Sequence, residues 1–233
     1  MPFMFFDPTM MLLIPAMIFA MWAQWKVQHT YSEMSKVRAA NGLTGREMAK
    51  AIMARNGVTD VTVEEVGGVL SDHFDPRQKK VRLSSMNYGG DSLASIAVAA
   101  HEVGHVLQHA QGYAPLAIRS AIVPVASFGS TLAFPLFFIG FIFGGHGQFA
   151  KVMMDLGILL FSGAVLFQAV TLPVEFDASK RAMAQLTESG ALAPQEVAGA
   201  KRVLDAAALT YVAAAAMAAL QLLRLVLMRR SRD

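Results

Sequence analysis

Four stretches of this chain, near residues 5–25, 120–144, 152–174 and 206–228, are long and apolar enough to cross a bilayer, which takes about 20 such residues per helix. Nothing else in the sequence constrains the fold as strongly. Composition agrees: 55% of the 233 residues are hydrophobic and 16% are charged, where a soluble domain carries roughly a quarter charged. The first stretch has no Lys or Arg before it, ends in Trp22 and Trp25 and meets its first positive charge at Lys26, so it reads as a retained anchor. The second and third are joined by Gly144-Gly145-His146-Gly147, which predicts a helical hairpin. Asp155 and Arg224 fall at like depth in the last two spans and are expected to pair, because a lone charge there is costly.

The longest extramembrane region is 26–118. Thr44-Gly45-Arg46-Glu47 is a capping box followed by apolar Met48, Ala51 and Ile52 and a stop at Gly57, which predicts a short amphipathic helix. Val61–Val66 and Val81–Ser84 are β-branched or alternating and are bounded by Gly67-Gly68 and Asp75-Pro76, which predicts two strands. Asp91-Ser92 then cap a helix running through His101-Glu102-Val103-Gly104-His105 to Gly112. The net charge of +3 is scattered and does not form a block that would track a phosphate backbone, so nucleic acid is not an expected partner. With no Cys in the chain, any bound metal must use His, Asp or Glu.

His101 and His105 lie one turn apart on one helix face, so both imidazoles can reach one zinc ion at the usual ~2.0–2.1 Å. Glu102 sits one step round the helix, beside the metal and not on it. Zinc lowers the pKa of a water it holds towards about 7, and a neighbouring carboxylate can take that proton as the water attacks a peptide carbonyl. A catalytic zinc needs a third protein ligand and one open position. The best candidate is Glu175 in Pro173-Val174-Glu175-Phe176-Asp177-Ala178-Ser179, because two membrane crossings after His105 return the chain to the same side. On a helix Glu175 and Asp177 are about 200° apart, so only one can face the ion, and Glu175 has the longer reach. Asp177 is then expected to face Lys180 or Arg181. Ser179, one turn after Glu175, is placed to hydrogen-bond a metal-bound His. His109 shares the His101 side but has drifted round the helix, and is a weaker ligand candidate.

Five segments resemble the YugP-type neutral zinc metallopeptidases of bacterial membranes. They are Ser71–Arg77, Val81–Ser84, Ala99–His105, Pro173–Ser179 and Ala207–Val212, and the likeness extends from about 40 to 225. The resemblance implies a zinc peptidase with two His ligands and a Glu, at the position of Glu175. It is more distantly similar to the HtpX-type membrane peptidases, in which an Asp follows the Glu ligand by four residues. Here that position is Ser179, a weaker orienter.

Val81, Arg82, Leu83 and Ser84, if they form an exposed edge, could pair with a substrate backbone by strand addition. His73 and Tyr211 are candidates for stabilising the transition state; otherwise His73 belongs to an Asp-Pro turn and Tyr211 to the membrane interface. The expected fold is mainly α: a polytopic membrane protein with about four transmembrane helices and a small α+β extramembrane metallopeptidase region. Its divisions are an anchor at 1–25, the active-site region at 26–118, a transmembrane hairpin at 119–174, an extramembrane helical segment at 175–205 and a final span with basic tail at 206–233. The expected function is zinc metalloendopeptidase, with one Zn2+ and a protein or peptide substrate, membrane proteins included, in the bacterial plasma membrane. Lys26, Lys36, Arg38, Arg119, Lys180, Arg181, Lys201 and Arg202 flank the catalytic side and outnumber Lys151, Arg229, Arg230 and Arg232 opposite, which predicts a cytoplasmic catalytic face. The alternatives are a site-2-type intramembrane protease using Asp205, and a non-catalytic membrane scaffold with a structural zinc.

Overall fold

The computed structural model describes residues 8–69, 71–143, 147–188 and 190–231. Residues 5–7 of the first expected span and Gly144–His146 of the expected turn lie outside them. Four described helices are long and apolar enough to cross a membrane: Pro8–Met34, Ala114–Ile142, Gln148–Glu188 and Pro194–Arg230. The chain is a polytopic, mainly α membrane protein with one small sheet. Its helices are α1 (Ile14–Met34), entered through a 3-10 turn at Pro8–Leu13, α2 (Gly45–Arg55), α3 (Ser85–Gly89), α4 (Leu93–Ala110), α5 (Ala114–Phe143), α6 (Gln148–Glu188) and α7 (Pro194–Arg230). The strands are β1 (Thr62–Val66), β2 (His73–Asp75) and β3 (Lys80–Ser84).

The residues divide into two compact units. One comprises 8–22, 118–172 and 211–231. It buries Ala133, Phe137, Ala150, Met154, Phe161, Leu225 and Met228 together. Gly157 lets the backbones of α5 and α6 approach, because a Cβ there would stand 2.7 Å from the Ala133 carbonyl oxygen. Asp155 finds its cation in Arg229, whose Nε donates to Oδ1 at 2.8 Å, while Arg224 Nε donates to Thr9 at 3.3 Å. Asp155 is thus paired with Arg229, nearer the helix end, and not with Arg224 as its depth in the span predicts.

The other unit comprises 23–117 and 173–210. Its α2 starts where the sequence marks it: the Thr44 side chain accepts from the Glu47 N–H at 3.3 Å and Glu47 Oε2 accepts from the Thr44 N–H at 2.9 Å. It stops at Gly57, whose φ of 70° suits a residue without Cβ. The sheet order is β1-β3-β2, with β1 parallel and β2 antiparallel to β3. Val63, Val81 and Leu83 point into a core shared with Met48, Ile96, Val103, Val106 and Leu186.

That order corrects the edge-strand expectation for Val81, Arg82, Leu83 and Ser84. β3 is the central strand, paired with β1 along Lys80–Ser84 and with β2 along Lys80–Arg82. Beyond the end of β2 the Ser84 N–H is already taken by Asp72 Oδ1 at 2.8 Å. β2 was read as turn residues only; the turn chemistry itself is present, since Asp75 Oδ1 accepts from the N–H groups of Arg77 and Gln78 at 2.9 and 3.0 Å.

Candidate metal centre

Ser92 caps α4 by accepting from the Ser95 N–H at 3.1 Å, and fourteen residues of the helix are buried, which fixes its rotation within the core. His101 and His105 therefore share a face, their rings edge-to-face with centroids 4.9 Å apart. Facing them is Glu175 on α6, 2% exposed. Glu175 Oε2 lies 3.2 Å from His101 Nε2 and 3.5 Å from His105 Nε2. Ligand atoms of the three residues all fall within 4.8 Å of one another. Two ligands of a tetrahedral zinc with bonds of ~2.0–2.1 Å stand about 3.3 Å apart, so both carboxylate–imidazole spacings suit such an ion. The donor set, two imidazoles and a carboxylate, also suits zinc.

The close approach of α4 to α6 that makes this possible is set by Gly104. A Cβ at Gly104 would stand 2.4 Å from the Ala178 carbonyl oxygen, so no larger residue fits between the two His without moving a backbone.

Each imidazole is held at its other nitrogen. Ser179 Oγ lies 3.1 Å from His101 Nδ1, in the place expected from its helical spacing. Gln108 Oε1 lies 2.9 Å from His105 Nδ1. Gln108 was not foreseen: a Gln near the end of a helix reads as a solvated residue, yet this one is fully buried. Its three-residue spacing from His105 was the available signal. Asp177 turns away from the cluster, as expected, and pairs with Arg181; it also accepts from Gln108 Nε2 at 2.9 Å.

Glu102 is 8% exposed and makes no side-chain hydrogen bond among the described residues. Burial holds its pKa above the ordinary carboxylate range, partly offset by the imidazoles of His101 and His105. Burial opposes a charge on His105, but the hydrogen bond it donates to Glu175 and the charges of Glu102 and Glu175 outweigh it and leave that pKa raised.

The remaining candidates have other surroundings. His73 is exposed, its Nδ1 2.8 Å from the Ser71 carbonyl and its Nε2 3.3 Å from Arg82 Nη1. His109 packs against Phe74 at 5.8 Å between ring centroids and is outside the three-residue cluster. Tyr211 belongs to the other compact unit, on α7. Asp205, which a site-2-type centre would need, is exposed and accepts from Lys201 at 2.6 Å.

Over residues 9–230 the chain matches the family described as "Putative neutral zinc metallopeptidase", and it belongs to that family. Among curated proteins it is similar to "Putative membrane protease YugP" of Bacillus subtilis (strain 168), with 47% identity over 216 residues that cover 93% of this chain and 94% of the relative. No solved structure matches it.

Proposed function

We propose that this protein is a zinc metalloendopeptidase of the membrane, with one zinc ion held by His101, His105 and Glu175 and with Glu102 as general base. The observation that carries this reading is the convergence of the three donor atoms within 4.8 Å, on a helix where the next residue is a buried carboxylate with no protein partner. When bound, zinc polarises the scissile carbonyl and lets water act as a nucleophile near neutral pH. Glu102 takes the proton of the attacking water and passes it to the leaving amine nitrogen. Ser179 and Gln108 hold the two imidazoles from behind. The substrate class is protein or peptide, membrane proteins included, and the catalytic face is cytoplasmic.

Glu102→Gln should keep zinc and lose about 10²–10⁴-fold in peptidase rate, because the near-isosteric amide cannot accept the proton. His101→Ala and His105→Ala should lose both. A Gln variant cleaving at the wild-type rate is incompatible with the mechanism. Because the chain contains no Cys, a single Cys at position 36 gives a clean labelling test of orientation, and external labelling in intact cells would reverse the assigned face.

A further inference from the structure

The two imidazoles differ in how their free nitrogen is held, and the difference assigns a residue that the motif does not contain. Ser179 offers His101 a hydroxyl, which can donate or accept, so it leaves the His101 tautomer undecided. Gln108 offers His105 an amide whose orientation is fixed by its surroundings. On one side the amide nitrogen lies 2.7 Å from the Val174 carbonyl oxygen and 2.9 Å from Asp177 Oδ2. Both are acceptors, so the NH2 end must face α6 and the oxygen must face His105. An amide oxygen only accepts. Nδ1 of His105 therefore carries a proton, and Nε2, on the side of Glu175, is the nitrogen left to offer a lone pair to an ion.

Gln108 is fully buried and is satisfied at both ends. A buried amide is costly unless hydrogen-bonded, and a hydrophobic residue of the same volume would fill the space without that cost. Asp177 is in turn tied to Arg181, one turn on, and Arg181 donates to Gln111 Oε1 back on the α4 side. The hydrogen bonds thus run from α6 into α4 and end on the imidazole.

We propose that Gln108 is a positioning residue that locks His105 into the tautomer and ring orientation required of a metal ligand. The proposal rests on the reading that His101, His105 and Glu175 hold the ion.

The test uses the full-length protein in detergent, with zinc titrated against a competing chelator and Co(II) as a spectroscopic probe. Gln108→Met conserves volume and removes every hydrogen bond. It should weaken zinc binding about 10–100-fold and change the Co(II) absorption bands, with helical content retained. Gln108→Glu keeps an acceptor for Nδ1–H but sets a second carboxylate against Asp177, and should also bind weakly. Adding Asp177→Asn supplies an amide donor to that carboxylate and should recover much of the lost affinity. Gln108→Met with wild-type zinc affinity and an unchanged Co(II) spectrum would overturn the inference. If Gln108→Met does not fold, the double variant decides: no recovery over Gln108→Glu alone overturns it equally. Glu175→Ala is run alongside. Full zinc affinity in that variant would overturn the ligand reading and this inference together, whereas its loss with Gln108→Met unaffected would overturn only the inference.

Discussion

Residues 148–172 and 173–188 of α6 belong to one unbroken helix, yet their surfaces are made for different surroundings. In the first stretch Leu156, Leu159 and Leu166 are exposed, as suits a helix facing lipid, and the contacts to α5 pass through small residues such as Gly157. In the second stretch Val174, Ala178, Ala182 and Leu186 are buried. The polar side chains Glu175, Asp177, Ser179 and Arg181 all have named partners there. Lipid supplies no hydrogen bonds, so the first stretch carries few polar groups; a packed unit can satisfy them, so the second carries the chemistry. The charged residues of the first stretch are Lys151 and Asp155, and Asp155 is paired with Arg229 near the helix end.

Two glycine substitutions should separate these stretches most sharply. Gly104→Ala forces a Cβ to 2.4 Å from the Ala178 carbonyl oxygen, and should cost about 1–3 kcal/mol and also weaken zinc binding, because α4 and α6 must part. Gly157→Ala meets the Ala133 carbonyl oxygen at 2.7 Å and should lower the thermal midpoint comparably while leaving zinc affinity intact. Equal loss of zinc affinity in both variants would show that the stretches do not act separately.

Ser179→Ala should weaken zinc by about tenfold, the lower end for loss of a hydrogen bond to a ligating His, with no change in unfolding. A chelator titration with a parallel thermal melt checks both halves of that statement.

The pH dependence of zinc binding has a definite sign. Zinc requires neutral imidazole, and the metal-free His105 pKa lies above the ordinary 6.5. Protons therefore compete at higher pH than they would at a free histidine. Apparent affinity should be full at alkaline pH and begin to fall before the pH reaches 6.5 on the way down. A titration series that stays flat to below 6.5 would contradict the geometry around Glu175.

The smallest effect should come from Asp155→Asn. Its ion pair with Arg229 lies in the unit that does not contain the metal ligands. Unfolding should move slightly and zinc affinity not at all.

What could be read from the sequence was local. The spans are visible as long apolar runs, α2 and α4 through their caps at Thr44 and Ser92, and His101, Glu102 and His105 through helical spacing. The same periodicity lets only one of Glu175 and Asp177 face the ion, reach and the family resemblance favour Glu175, and Asp177 pairs with Arg181 at the spacing expected of it. What could not be read depends on partners distant in the chain. β2 is three residues long and exists through its ladder to β3, and the central place of β3 depends on its pairing with both β1 and β2. Gln108 is invisible as a buried residue until α6 supplies Val174 and Asp177. The backbone of α6 runs on through Pro173, which gives up one N–H donor without ending the helix.

The most direct test of the ligand assignment is an equilibrium zinc titration of wild-type protein beside Glu175→Ala and Asp177→Ala. The wild-type chain should bind one ion, Glu175→Ala should lose tight binding, and Asp177→Ala should keep binding, though weakened. Full affinity in Glu175→Ala together with loss in Asp177→Ala would contradict it.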